Sequence, residues 1–155
     1  MRLTLISTVI AFGALACGGE KKTQEAQPPA AQPAAPAAAP APAGPVLEVK
    51  MTGNGSTVAA FEPKTLSIKP GTVVRFINVS GGPHNVAFYG DSIPAGAASA
   101  LNAGMANRMD NLSGPFVIQP NETYDVSFAG APTGTYKGFC LPHVALGMNI
   151  TITVQ

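Results

Sequence analysis

The chain has 155 residues, of which 46% are hydrophobic and 11% are charged, and its formal net charge is +1 at pH 7. This length allows one domain with additional segments. Because the two signs of charge nearly balance and the sequence has no basic run or stripe, the composition excludes a nucleic-acid-binding surface. It also provides little long-range attraction for a charged partner.

Residues 1–16 have the features of a secretory signal peptide. Arg2 is followed by fourteen predominantly apolar residues, and the segment ends in small residues before Cys17. This order is typical of an export signal, and the apolar run is too short to span a bilayer comfortably. The small residue before Cys17 and the two glycines after it resemble the lipobox of bacterial lipoproteins. The resemblance implies that residues 1–16 are removed and that Cys17 is acylated; the alternative is an ordinary signal peptide with an incidental cysteine.

Residues 17–45 are predicted to be a tether rather than a domain. Residues 20–27 are polar, and seven prolines alternate with alanines in residues 28–45. Such a segment cannot bury a core and favours extended polyproline II structure. At about 3.1 Å per residue, it would hold a domain several tens of ångströms from a lipid surface.

The folded domain is predicted at residues 46–155, where the composition changes to short runs of β-branched and aromatic residues separated by Gly, Pro or Asn. Such alternation predicts an all-β, antiparallel Greek-key sandwich or barrel of about eight strands. Residues 91–113 interrupt the pattern, and within them residues 97–109 are predicted to form one short helix or irregular insertion. The predicted strands are residues 46–52, 65–69, 72–78, 85–89, 116–119, 122–128, 135–140 and 149–154.

A candidate metal site lies between the last two predicted strands. Cys140, His143 and Met148 are separated by three and five residues, and a tight loop can turn all three side chains toward one point. Gly147 allows that loop to bend. One thiolate, two imidazoles and a weak axial thioether are the donors of a trigonal copper site. The second imidazole would come from His84, which is the only other histidine of the chain.

Each of these residues also has an ordinary structural interpretation. A lone buried cysteine is usually a small hydrophobic side chain, and a lone methionine usually fills the core. A single histidine near the start of a strand is usually just hydrogen-bonded. Taken together, however, the pattern uses both histidines and the only cysteine other than Cys17. We therefore predict one copper ion bound by His84, Cys140, His143 and Met148.

Residues 46–155 resemble a plastocyanin-type cupredoxin over essentially their whole length. The resemblance implies a two-sheet Greek-key barrel with one type 1 (blue) copper ion, which transfers single electrons by cycling between Cu(I) and Cu(II). It also implies that Asn85 ties the two ligand segments together, while Pro142 stiffens the ligand loop. The residues that carry the resemblance are Cys140-Leu141-Pro142-His143 with Met148, the segment Gly82-Pro83-His84-Asn85-Val86-Ala87-Phe88, Gly134-Thr135-Tyr136-Lys137 and Ile93-Pro94.

Three classes of function are compatible with such a copper site. Electron transfer is favoured, because three strong donors and one weak donor leave no ligand position open for a substrate. Copper binding and delivery in the cell envelope is the alternative; it would favour exposed donors and a tail rich in Met or His, which the sequence lacks. An enzyme is not expected, because a catalytic copper needs additional histidines. A Cys140–His143 nucleophile pair would lack an orienting third residue.

The partners are expected to be redox proteins that dock beside His143. By resemblance, one edge of that histidine is exposed, and Leu141, Pro142, Val144 and Leu146 surround it. The alternative is that Val144 and Leu146 pack against the first ligand loop. Residues 46–155 carry six basic and six acidic side chains, so charge offers little steering. We expect a monomer that is anchored to a bacterial membrane through Cys17 and lies in the periplasm or another extracytoplasmic space.

Overall fold

Two four-stranded β-sheets and one short helix make up residues 44–155, the part of the chain that the computed structural model describes. The predicted signal peptide, Cys17 and nearly all of the predicted tether lie outside these described residues. The elements are β1 (Val46–Gly53), β2 (Ala59–Glu62), β3 (Thr65–Ile68), β4 (Val73–Asn78), β5 (Ala87–Phe88), α1 (Ala97–Gly104), β6 (Thr123–Ser127), β7 (Gly134–Phe139) and β8 (Asn149–Val154), with a 3-10 turn at Leu141–Leu146.

The strands form a mixed sandwich. The first sheet has the order β2-β1-β4-β6, and the second has the order β3-β8-β7-β5. The all-β sandwich prediction is confirmed, but the expectation of purely antiparallel pairing is wrong. β1 pairs with β4 in parallel, and β3 pairs with β8 in parallel. After β2, the chain crosses to the second sheet to form β3. It then returns to the first sheet as β4, which runs in the same direction as β1.

Alternating side chains of the two sheets fill the core between them. In β8, for example, Ile150, Ile152 and Val154 are buried while the residues between them are more exposed. The aromatic ring of Phe128 packs edge to face against Phe88 at a centroid distance of 6.2 Å and against Tyr136 at 5.4 Å. Burial of each such side chain contributes about 2 kcal/mol to the stability of the fold. The strands that carry the candidate site therefore pack against a well-filled core.

The predicted strand at residues 116–119 is wrong. Val117 makes only an isolated bridge with His84. The backbone N–H groups of Ile118 and Gln119 instead donate to Oε2 of Glu122, at 2.6 and 2.9 Å. Because one carboxylate accepts the amides that a strand ladder would use, this segment forms a turn. The eighth strand is β2, which was not predicted because it has only four residues and two of them are alanine.

The helix is shorter than the predicted residues 97–109 and ends at Gly104. A Cβ atom at Gly104 would lie 2.0 Å from the backbone oxygen of Ser127, so the helix end lies directly against β6. Met105 then adopts extended backbone angles and forms a bridge with Val126 of β6. Within residues 44–155, no helix is both long enough and apolar enough to cross a membrane.

Candidate metal centre

The loop between β7 and β8 holds Cys140 and His143 on one closed turn. Cys140 follows the last residue of β7, and its backbone N–H donates to the carbonyl of Met148 at 3.0 Å. The N–H of His143 donates to the carbonyl of Cys140 at 3.1 Å. Gly147 ends the turn with φ of 74°, a left-handed conformation that favours glycine. The loop is thus closed at its base by hydrogen bonds.

His84 lies on a different segment, between β4 and β5. Its backbone forms two hydrogen bonds with Val117: the N–H of His84 donates at 3.0 Å, and its carbonyl accepts at 2.8 Å. The ring atom Nε2 lies 2.9 Å from the carbonyl oxygen of Ser80. A carbonyl only accepts, so this contact places the ring proton on Nε2 and leaves the Nδ1 lone pair available to a metal.

Three donor atoms converge in the interior. The Sγ atom of Cys140 lies 3.6 Å from Nδ1 of His84 and 3.4 Å from Nδ1 of His143. All three atoms lie within 4.8 Å of one another. Bonds of about 2.0 Å to nitrogen and about 2.3 Å to sulfur, as at zinc, would place such donors about 3.5 Å apart. The two sulfur–nitrogen distances therefore fit ligands of one metal ion.

The donors are shielded from water. The side chains of His84 and Cys140 are fully buried, and His143 is 5% exposed. Met148 is also fully buried, and its backbone N–H donates to the carbonyl of His143 at 3.3 Å. The structure thus places Met148 beside the donor cluster, and its role as a weak axial ligand stays a prediction.

Asn85 connects the two segments that carry the donors. Its Oδ1 accepts a hydrogen bond from the backbone N–H of Leu141 at 2.8 Å. Its own backbone N–H donates to Sγ of Cys140 at 3.5 Å. Its Nδ2 donates to Oγ of Ser113 and to the carbonyl of Gly114, each at 3.3 Å. Ser113 and Gly114 were not predicted from sequence, because no local motif marks residues that act through another side chain.

Burial shifts the pKa values of Cys140 and His143 toward their uncharged forms. It raises the pKa of the Cys140 thiol, which the hydrogen bonds from the backbone N–H groups of Asn85 and His143 partly offset. Burial, and secondly the proximity of His84, lowers the pKa of His143. Neutral imidazole is the metal-binding form. A buried thiolate needs a positive partner, which a bound metal ion supplies. The charge preferences of this site therefore also fit a metal ion.

The predicted docking residues lie on the outer side of the ligand loop. Leu141, Val144 and Leu146 are 49%, 42% and 38% exposed, and Pro142 is exposed as well. We call these four residues the apolar rim. No residue from 138 to 149 carries a formal charge. Val144 and Leu146 thus keep about two fifths of their surface exposed.

Comparison with known proteins identifies the family. Residues 47–155 match the family described as copper binding proteins, plastocyanin/azurin family. The chain belongs to this plastocyanin/azurin family. It is 41% identical to a plastocyanin of Scenedesmus fuscus over 103 residues, which are 66% of this chain and 94% of that protein. It is 42% identical to a chloroplastic plastocyanin of Chlamydomonas reinhardtii over 103 residues, which are 66% of this chain and 63% of that protein.

A solved structure agrees with this membership. The oxidized form of plastocyanin from Dryopteris crassirhizoma superposes with a TM-score of 0.54 at 26% identity, covering 70% of this chain and 100% of that protein. The predicted plastocyanin-like cupredoxin is therefore confirmed. Its cofactor is one type 1 copper ion, because the family binds copper and the buried donors form a suitable cluster. Family membership further implies electron transfer to redox partners.

Proposed function

We propose that His84, Cys140, His143 and Met148 bind the copper ion and that the protein is a one-electron carrier. The observation that carries this proposal is the convergence of both Nδ1 atoms on Sγ of Cys140, at 3.6 and 3.4 Å, in the protein interior. When bound, copper supplies the Cu(I)/Cu(II) couple that accepts and releases one electron. The protein contributes two imidazoles, one thiolate and one thioether, the donor set of blue-copper sites.

The hydrogen bonds around these residues favour electron transfer over copper delivery. The loop of Cys140 and His143 is closed at its base, and Asn85 ties it to the segment of His84. Donors that a hydrogen-bond network holds in place need little rearrangement when the oxidation state changes. A delivery protein needs donors that a second protein can reach, and here they are 0–5% exposed. An enzymatic copper site would need further histidines, and the chain has two.

The apolar rim is the proposed contact surface for redox proteins. Its residues precede and follow His143 in the chain, and His143 is 5% exposed while His84 and Cys140 are fully buried. Apolar patches of this kind mark contact sites, and transient redox encounters need only a small area. Electrons would enter and leave through His143, because it is the one proposed ligand that keeps some surface exposure.

We also propose where the protein is located in the cell. Residues 1–16 act as a signal peptide, Cys17 carries lipid, residues 17–45 form the tether, and residues 46–155 form the copper domain. The protein then works as a monomer in an extracytoplasmic space, held at a bacterial membrane. Support comes from the lipobox-like residues before and after Cys17 and from the Pro/Ala composition of residues 28–45.

The direct test is the spectrum of the purified protein after addition of Cu(II). The proposed ligands predict an intense blue colour from charge transfer between the Cys140 thiolate and Cu(II), with one copper ion per chain. A pale, weakly absorbing complex would contradict the ligand set.

A further inference from the structure

Asn78 stands out because its side chain is buried and only partly hydrogen-bonded. It is the last residue of β4 and is 2% exposed. Its Oδ1 atom has no hydrogen-bond partner among residues 44–155. Buried polar atoms without a partner are rare and call for an explanation. A leucine of similar volume could fill the same space without that unmet acceptor, so packing alone does not account for an amide here.

The other end of the amide contacts the carbonyl that holds His84. Nδ2 of Asn78 donates to the carbonyl of Gln119 at 3.1 Å and, with a longer bond of 3.4 Å, to the carbonyl of Val117. The same Val117 carbonyl accepts the backbone N–H of His84 at 3.0 Å. Flipping the amide would place an oxygen against both carbonyls, so this orientation is determined by its neighbours.

The loop before His84 also passes over this amide. A Cβ atom at Gly82 would lie 2.9 Å from Nδ2 of Asn78, and the three nearest atoms to it all belong to Asn78. This loop carries Ser80, whose carbonyl accepts from Nε2 of His84 at 2.9 Å. Asn78 therefore contacts both supports of His84: the segment that bonds its backbone and the loop that orients its ring.

We propose that Asn78 is a positioning residue for His84. Its amide links the end of β4 to Val117 and Gln119 by hydrogen bonds. It also packs against Gly82, in the loop that carries Ser80. The two supports of the histidine therefore keep one relative position. This inference rests on the proposed function, because it assumes that His84 binds the copper. The unsatisfied Oδ1 follows from this role, since both donor hydrogens of the amide point toward the carbonyls.

The test compares Asn78→Leu with Arg75→Leu on the same strand. Arg75 pairs with Asp125 through two 2.8 Å hydrogen bonds on the outer side of the sheet, and so its loss weakens the fold without contacting the His84 supports. Gly82→Ala is a second variant, whose new methyl group would crowd the Asn78 amide. It provides the test if Asn78→Leu does not fold. Each full-length variant is examined metal-free and loaded with Cu(I), which is diamagnetic and suits NMR.

Two quantities are measured: hydrogen exchange of the His84 backbone N–H by NMR, and the reduction potential by voltammetry. In Asn78→Leu, the His84 N–H should exchange roughly tenfold faster or more, because its local opening is easier. The potential should shift in the same variant. Gly82→Ala should show smaller changes of the same sign, and Arg75→Leu should show neither change.

Unchanged His84 exchange and potential in both Asn78→Leu and Gly82→Ala would overturn the proposal. So would equal changes in Arg75→Leu at a similar loss of stability. Failure of the proposed function would look different: the wild-type protein would not turn blue with Cu(II). The His84 exchange rates of the metal-free variants would still decide whether Asn78 positions this histidine.

Discussion

The side chain of Asn85 accepts a hydrogen bond from the backbone N–H of Leu141 at 2.8 Å, although the two residues are 56 positions apart in the chain. Asn85 follows His84, and Leu141 follows Cys140. The bond therefore joins the two ligand segments directly beside their donors. It closes a connection between the loop of Cys140 and the segment of His84, so the hydrogen bonds of the folded chain hold the donors close together.

Met148 should adjust the reduction potential rather than hold the metal. A thioether is a weak axial donor, so a harder amide oxygen in its place favours Cu(II), and removal of the donor favours Cu(I). Met148→Gln should lower the potential with copper still bound, and Met148→Leu should raise it. Met109→Leu is the control, because Met109 is 45% exposed. Voltammetry that finds no shift in either Met148 variant would remove this residue from the site.

Replacing Leu146 by glutamate should slow electron transfer with the native partner while the copper spectrum stays unchanged. The new charge must lose water when the apolar rim is buried against a partner. For the wild-type protein, the rate should depend only weakly on ionic strength, because residues 46–155 have balanced charge and salt screens only charge interactions.

Leu47→Glu is the matched control for docking. Leu47 has a similar exposure of 40% but lies near the start of β1, away from the ligand loop. Its variant should transfer electrons at the wild-type rate. If Leu146→Glu also had no effect, or if the wild-type rate fell steeply with salt, partners would dock on a charged face and not on the apolar rim.

The sequence predicted best what is local in the chain. Cys140, His143 and Met148 lie within nine residues, so their spacing alone indicated a common loop. The structure brings the first two together and places Met148 beside them. His84 could be added because the chain has no other histidine to complete the set. Strands with clear alternation, such as β4 and β8, were found within one residue of their bounds.

The errors arose from contacts between distant residues. The alternating pattern at residues 116–119 does not reveal that Glu122 accepts two of its backbone N–H groups. The parallel pairing of β1 with β4 depends on where β3 crosses between sheets. The helix ends early because Gly104 meets Ser127 of another element. Asn78 was not recognised either, because its role depends on Val117, which is 39 residues away.

Cys17→Ala should release the protein from membrane fractions. Each buried methylene of an acyl chain contributes about 0.8 kcal/mol, and two or three chains together give stable attachment where one does not. Cys140→Ser should stay with the membrane, because Cys140 is buried in the copper domain. Fractionation by immunoblot and mass spectrometry of the mature N-terminus are the measurements. Recovery of the wild-type protein as soluble, unlipidated material would contradict the lipobox interpretation.

The stability of the domain should fall at alkaline pH because of Tyr124. Burial raises the pKa of Tyr124 to about 12, with a small opposing effect from Arg108. The unfolded chain deprotonates this group near pH 10. Its contribution is therefore complete below about pH 10 and is lost as the pH rises toward 12; by linkage it is on the order of 3 kcal/mol.

Tyr124→Phe tests this pH dependence. The variant loses the 2.8 Å hydrogen bond from the hydroxyl to the Ala106 carbonyl, so it should be less stable than wild type by about 1 kcal/mol near neutral pH. Above about pH 10, its free energy of unfolding should decline less steeply with pH than that of the wild type. Urea titrations at several pH values measure both quantities. Parallel curves for the two proteins would show that Tyr124 is not the titrating group.

The most direct test of the copper assignment is to load wild-type protein and Cys140→Ser with one equivalent of Cu(II) and to record their visible absorption and electron paramagnetic resonance spectra. Cys140 supplies the only thiolate among the proposed ligands, and the serine variant keeps the size of the side chain. We predict an intensely blue wild type and a variant that has lost this colour while circular dichroism shows the same β-sandwich. A folded Cys140→Ser variant that is as blue as the wild type would contradict the assignment of Cys140 as the copper ligand.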